Sequence, residues 1–386
     1  MIGGQGFPDR EFETRVARAQ AVMAKYQIAA LLLTTEPDVR YVTGFLTRFW
    51  ESPTRPWFVV LPAAGKPIAV IPSIGANLMG STWIEDIRCW SAPNYTDDGV
   101  SLLIETLGEV TEKGDTIGVP SGIETHLRFP LDSWQRVQSG LSDRTFGGDS
   151  AIMRDLRMIK SDAEIAKIKD ACNVGHRAFS RVAEIASAGV ALRDVFRRFQ
   201  ILCLEEGADY VPYLAGAAEK GGYADVISPA TNAALEKGHV MMLDTGLMLD
   251  GYFCDFDRNF SIGQPDTAVA GAHEKLVIAT RTAFEQARPG QTAADLFHAM
   301  LGVVGQQGAG ADAGRFGHGL GMQLTEGLSI IPNDHTVLAP GMVLTLEPCI
   351  ALGSGKIMVH EENIAIRQTG AEWLTVPAKP EIDVIP

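Results

Sequence analysis

Four carboxylates and one imidazole carry the clearest chemical signal in this chain. Val240-Met241-Met242-Leu243-Asp244-Thr245-Gly246 and Tyr252-Phe253-Cys254-Asp255-Phe256 both read as strands, and Leu249-Asp250-Gly251 between them has turn chemistry. A tight turn there brings Asp244 and Asp255 close to opposite each other, where Cβ atoms stand ~5 Å apart. Two carboxylates among Met241, Met242, Leu243, Phe253 and Phe256 repel and are costly to bury, a cost that a pair of cations removes. The arrangement recurs in Val343-Leu344-Thr345-Leu346-Glu347 and the strand-like stretch 356–366, separated by Gly353-Ser354-Gly355. A turn centred on Ser354-Gly355 sets Glu347 opposite Glu362, and alternation turns Glu361 to the other face. His318 is the fifth candidate, because the glycines beside it in Gly317-His318-Gly319 permit close backbone approach. Singly, such an Asp is read as a solvated strand end and such a His as a packing residue. The repeated pair of carboxylate hairpins points to an oxygen-rich cage. One imidazole among carboxylates suits Mn, Fe, Co or Zn and is unlike a thiolate-rich structural zinc site.

The elements that must position these residues fall into two regions. Residues 8–27 carry Phe12, Val16, Ala19, Val22 and Met23 at helical spacing. Strands are expected at 28–33, 57–61, 68–71 and 116–119, the middle two forming a hairpin, with helices near 100–110 and 131–138. This is an α/β pattern. Composition changes at Gly147-Gly148-Asp149-Ser150, which places a boundary between residues 1–150 and 151–386. Beyond it Ser161 and Glu164 have the spacing of a capping box at a helix start. A second helix spans about 191–206, and further helices fall near 269–287 and 293–305. With the strands from Met241 onward they give an α+β domain.

The 386 residues suffice for two such domains, each with its own core. A formal net charge of -14 argues against nucleic acid and against an anionic membrane surface as partners. Five cysteines, an odd number with no CxxC pair, suit free thiols in a reducing compartment. Met1-Ile2-Gly3-Gly4-Gln5-Gly6 lacks the basic and apolar regions of a signal peptide, and no apolar run is long enough to span a bilayer, so the cytoplasm is expected.

The motifs Asp244-Thr245-Gly246, Cys254-Asp255-Phe256-Asp257-Arg258, Gly317-His318-Gly319-Leu320-Gly321, Pro340-Gly341-Met342-Val343-Leu344-Thr345-Leu346-Glu347-Pro348 and Glu362-Asn363 resemble, in order and spacing, the metallopeptidase superfamily of methionine aminopeptidase, Xaa-Pro aminopeptidase, prolidase and creatinase. The resemblance covers nearly the whole chain. It implies a C-terminal pita-bread catalytic domain behind an N-terminal creatinase-like α/β domain. It also implies two divalent metal ions on Asp244, Asp255, His318, Glu347 and Glu362, with Mn the leading choice and Fe, Co or Zn the others. Such ions ~3.5–4 Å apart share a bridging hydroxide, and Glu347 doubles as ligand and proton shuttle. The implied substrate is a small peptide, cleaved by an Xaa-Pro dipeptidase or aminopeptidase, and the implied assembly is a homodimer.

The second layer of the site departs from that pattern. Family peptidases carry one histidine where this chain has Ile227 or Val226, and another where it has Thr325. His360 and Tyr223 are the expected catalytic stand-ins, and Thr325 a weak donor to substrate. For His360 a surface or packing role has equal weight, and a loop tyrosine such as Tyr223 is more often a packing residue. Arg48 and Trp50, in the aromatic and arginine-rich stretch 48–57, are expected to contact substrate, since in related dimers this region reaches the partner's site. An alternative follows from the departures: a creatinase-like hydrolase or lyase acting on a small metabolite. A non-catalytic binding module ranks below both, because the ligand residues are retained.

Overall fold

The structure is a computed structural model that describes residues 6–52, 56–305 and 314–386. Met1–Gln5 and Pro53–Arg55, included in the readings of the N-terminus and of the aromatic stretch, lie outside the described residues. The chain divides into two compact units, Met1–Arg157 and Met158–Pro386.

The first unit is built on a six-stranded mixed sheet. Its strands are β1 (Ile28–Leu33), β2 (Phe58–Pro62), β3 (Ile68–Pro72), β4 (Asp86–Trp90), β5 (Thr116–Val119) and β6 (Thr145–Gly148), in the order β4-β3-β2-β1-β5-β6. The helix Asp9–Tyr26 buries the expected stripe of Phe12, Val16, Ala19 and Met23 and ends where Gln27 turns left-handed at φ 55°. Burying a side chain the size of Phe12, Val16 or Met23 contributes about 1.5–3 kcal/mol. The same face also buries Arg15, whose guanidinium donates to Tyr41 O at 3.1 Å and stacks on the Phe7 and Tyr41 rings. One face of the sheet packs Ala30, Leu32, Phe58, Val60 and Val70 on Leu103 and Leu107 of the helix Val100–Val110.

The second unit begins with the helix Asp162–Ser180, and both reciprocal capping bonds form: Glu164 N donates to Ser161 Oγ at 3.2 Å, and Ser161 N donates to Glu164 Oε2 at 2.9 Å. Its main sheet contains β7 (Tyr210–Lys220), β8 (His239–Leu249), β9 (Tyr252–Phe253), β10 (Phe256–Ile262) and, far along the chain, β16 (Asp383–Ile385), in the order β16-β10-β8-β7 with β9 beside β8. A second group contains β11 (Val343–Leu346), β12 (Cys349–Gly353), β13 (Lys356–Val359), β14 (Glu362–Arg367) and β15 (Gly370–Trp373). Here β11-β14-β15 form one antiparallel sheet and β12-β13 a hairpin. The helices Thr267–Gln286 and Ala293–Val304 bury Leu276, Ala279, Ala283, Leu296 and Met300 against Leu344, Leu346, Ile364 and Ile366. Among the described residues no helix is long and apolar enough to cross a membrane.

Two register findings decide which side chains meet. In the first hairpin Asp250 (φ 47°) and Gly251 (φ 78°) form the turn, so Leu249 pairs with Tyr252 and, farther along, Asp244 pairs with Asp257. Asp255 therefore lies diagonal to Asp244 on the same face, not opposite it. In the second hairpin the turn does fall at Ser354-Gly355, with Gly353 opposite Lys356. The register then shifts by one between Ala351 and Gly353, so that Leu346 pairs with Glu362 and not Glu347 with Glu362. Leu352 is the extra residue of this bulge, and Gly353 beside it sits at φ 86°. A one-residue slip exchanges the two faces of a strand. Glu361, expected on the far face, consequently turns inward, and Glu362 turns away.

Candidate metal centre

The inward faces of the two hairpins and the loop 317–321 converge on a buried acidic cluster. Ligand atoms of Asp255, His318 and Glu361 lie within 4.8 Å of one another. His318 Nε2 stands 3.3 Å from Asp255 Oδ2. Its Nδ1 lies 2.9 Å from Gly319 O, and a proton on Nδ1 satisfies that contact and leaves the Nε2 lone pair for the cluster. The glycines of this loop are sterically required. A Cβ on Gly317, which sits at φ 133°, would collide with the Thr345 carbonyl, and one on Gly319 with the Glu326 carbonyl. The close approach lets His318 N donate to Thr345 Oγ1 at 3.1 Å and fixes the imidazole over β11.

Electrostatics ties the other carboxylates to this group. Burial, and then the neighbouring Asp255 and Asp257 charges, push the Asp244 carboxyl well above the usual range. Burial does the same to Asp255, opposed by the Arg315 guanidinium. Glu361 is raised by burial and by Asp255, Glu347 and Asp244. Glu347 is raised by burial and by Asp244, with His318 opposing. Asp244 Oδ1 and Glu361 Oε1 are buried without a hydrogen-bond partner. Several buried acids crowded together, with the Arg315 guanidinium acting on Asp255, make a site that added positive charge would stabilise. A hard divalent cation fits the donors present: carboxylate oxygens and one imidazole nitrogen.

Further contacts hold the cage in place. Asp255 N donates to Asn363 Oδ1 at 3.0 Å, and the Asn363 amide nitrogen donates back to Asp255 O, stitching β14 to the first hairpin. Tyr213 on β7 donates its hydroxyl to Asp244 Oδ2 at 3.0 Å. On the reverse face Glu362 accepts from Arg258 at 3.1 Å, from Ala378 N at 2.8 Å and from Thr375. Burial opposes its ionisation, but Arg258 and His360 outweigh burial and hold its pKa down to about 2. Glu362 is thus an ion-pair partner in the core, which corrects its expected place in the cage.

The remaining expected site residues are placed as follows. His360 does share a face with Glu362, but that is the reverse face. Its ring is 0% exposed, with Nε2 3.2 Å from Glu362 Oε1 and Nδ1 3.4 Å from Asp257 Oδ1. It faces Glu362 and Asp257 there and not the inward cluster, so its expected catalytic role is corrected to a positioning one. Tyr223 is likewise fully buried. Its hydroxyl lies 3.1 Å from Asn259 Oδ1 and accepts from Val359 N at 2.8 Å, bracing the core and not reaching the cage. Thr325 is half-buried and its Oγ1 accepts from Arg315 at 3.0 Å. Ile227 is 78% exposed. In the first unit Trp50 packs on Trp57 and under Arg128, while Arg48 is exposed. All five cysteines are free, and burial pushes the Cys349 thiol up to about 11.

Glu361, Asp257, Tyr213, Arg315 and Asn363 went unassigned in the sequence. For Asp257, Glu361 and Asn363 the nearest signal is strand alternation, which puts Asp257 on the face of Asp255 and Asn363 on that of Glu361.

Known proteins give an independent comparison. Residues 166–368 match metallopeptidase family M24, and residues 15–159 match the creatinase/prolidase N-terminal domain. The chain is 28% identical over 366 residues to an Xaa-Pro dipeptidase of Pyrococcus horikoshii, covering 94% of this chain and 96% of that one. It is 30% identical over 271 residues to the Xaa-Pro dipeptidase of Pyrococcus furiosus, covering 69% and 75%. Among solved structures, dipeptidase PepE from Mycobacterium ulcerans superposes with a TM-score of 0.83 at 25% identity, over 99% of this chain and 100% of that one.

Proposed function

Because this chain belongs to metallopeptidase family M24, we propose that it is a dinuclear metal-dependent dipeptidase of the Xaa-Pro type, with Asp244, Asp255, His318, Glu347 and Glu361 as ligands. The observation that carries the reading is the buried acidic cluster itself, whose carboxyls are all driven toward protonation by burial and mutual repulsion. When bound, two divalent cations supply an activated water and polarise the scissile carbonyl.

The side chains supply the rest. A Glu347 oxygen takes a proton from the attacking water and returns it to the departing amine. His318 offers Nε2 and is kept in that tautomer by Gly319 O. Tyr213 fixes the Asp244 carboxylate. The apolar surroundings of β8 and β11 exclude bulk water and strengthen each interaction inside. Mn is the proposed metal and a homodimer in the cytoplasm the proposed state, with Arg48 and Trp50 as substrate contacts.

A second reading, hydrolysis or lysis of a small metabolite, is favoured by one observation. Neither Ile227 nor Thr325, whose hydroxyl is engaged by Arg315, can act as the imidazole that peptidases of this family place there. The test is turnover of Xaa-Pro dipeptides and of a panel of small amides by Mn-loaded protein. Dipeptide hydrolysis that stops with chelator and returns with Mn supports the peptidase. Turnover of small amides alone favours the second reading, and protein that takes up no divalent metal overturns the dinuclear peptidase and leaves a metal-free, creatinase-like reaction.

A further inference from the structure

We propose that Asp257 is a further ligand of the metal centre, on its Asp244 side, steadied from behind by His360. The inference rests on the dinuclear reading above and adds a residue to it. Asp257 is the direct cross-strand partner of Asp244 and shares the inward face of β10 with Asp255. Directly opposed residues stand ~5 Å apart at Cβ, which is the span a single cation bridges between two carboxylates. The side chain is 1% exposed, and neither of its oxygens accepts a well-aligned hydrogen bond. Among the described residues His360 is its ion-pair neighbour, with Nδ1 3.4 Å from Oδ1.

His360 is shared with Glu362, so the facing pair Asp244 and Asp257 has at most part of one positive charge beside it. A buried carboxylate facing another carboxylate across a ladder costs several kcal/mol when uncompensated. Arg258 is the next residue, but it projects to the reverse face and serves Glu362 and the Glu361 carbonyl. The Asp257 charge is felt by every carboxylate of the cage: Asp244, Asp255, Glu347 and Glu361. It therefore belongs electrostatically to the cluster, while also touching the His360 that serves Glu362. His360 lies between the two, touching Asp257 with one nitrogen and Glu362 with the other. A ring wedged between the two carboxylates limits the directions in which the Asp257 carboxylate can point, much as an outer neighbour orients a metal ligand.

The test compares wild type with Asp257→Asn, which keeps the shape and removes the charge, by calorimetric titration of the metal-free proteins with Mn. Circular dichroism before titration checks folding. We expect two equivalents in wild type, and in the variant one equivalent lost or its Kd raised by at least ~10–100-fold. An anomalous difference map of Mn-soaked wild-type crystals gives an answer that does not depend on the variant. It is expected to place an ion within about 2.0–2.6 Å of an Asp257 oxygen. Two equivalents at unchanged Kd in the variant, or two ions both farther than about 4 Å from that carboxylate, overturn the inference and leave the dinuclear reading standing. Wild type that binds no Mn overturns both.

Discussion

The two hairpins of the second unit look alike in sequence and behave differently in space. In the first, pairing runs without a slip from the Asp250-Gly251 turn to Asp244. The turn sits one residue later than the sequence reading placed it. That displaces every cross-strand partner by two, so the inward face is unchanged and Asp244 and Asp255 remain together. In the second, the turn is where it was expected, yet the Leu352 bulge shifts the pairing by one and exchanges Glu361 for Glu362. An even error preserves a face and an odd error inverts it. A bulge is therefore more consequential for a binding site than a misplaced turn.

The most direct way to break this comparison is to substitute the two neighbouring glutamates separately. Glu361→Gln is expected to lower kcat/KM on the order of 10³-fold or more with loss of bound metal. Glu362→Gln should retain both metal equivalents and instead lose about 3 kcal/mol of stability by weakening a buried pair with Arg258. Metal analysis and denaturant unfolding read the two effects separately. The reverse outcome would show that the bulge is absent in the working protein.

Metal removal should expose the cost of crowding the acids. A carboxyl raised in the folded state makes that state bind more protons than the unfolded chain. Stability of metal-free protein therefore falls as pH rises from the ordinary carboxyl range toward about 8, the value to which Glu347 is raised. Mn at a hundredfold excess over its Kd restores about 2.7 kcal/mol, read as a rise in Tm of several degrees near pH 8 and a smaller rise near pH 5. A metal-free Tm that stays flat across this window would sink the assignment of Glu347 to the crowded cluster.

Gly317→Ala tests the histidine loop, which neither hairpin supplies. The forced contact with the Thr345 carbonyl at φ 133° should cost about 1–3 kcal/mol and weaken metal uptake together. The smallest effects distinguish two tyrosines. Tyr213→Phe frees Asp244 and should lower metal affinity, whereas Tyr223→Phe should cost about 1–2 kcal/mol of stability with metal affinity unchanged.

Most of the frame was legible in the residues. The stripe from Phe12 to Met23, the capping box at Ser161 and the apolar runs of β1 and β5 each announce themselves over several positions, because periodicity accumulates. Asp244, Asp255, His318 and Glu347 were legible for a similar reason: turn chemistry and flanking glycines constrain them locally. Glu361 was not, since a bulge is a single-residue event with no period. Tyr213 and Arg315 were not, since nothing near them in sequence reports that β7 borders Asp244 or that Arg315 acts on Asp255. Tyr223 misled because proximity along the chain to a family position says nothing about where a hydroxyl points.

Asn363 has a consequence for motion. Its side-chain amide makes the two bonds to Asp255 that a neighbouring strand's peptide group would make. The first hairpin cannot breathe at Asp255 without dragging β14, and β14 carries Glu361's neighbour on to the helix-packed core. Opening of the site is thereby coupled to a cooperative unit and not to the fraying of one ribbon. In hydrogen exchange the amides of Asp255 and Thr345, which stand in different hairpins, should gain and lose protection together, and an ion held between them should leave only as fast as that joint opening permits.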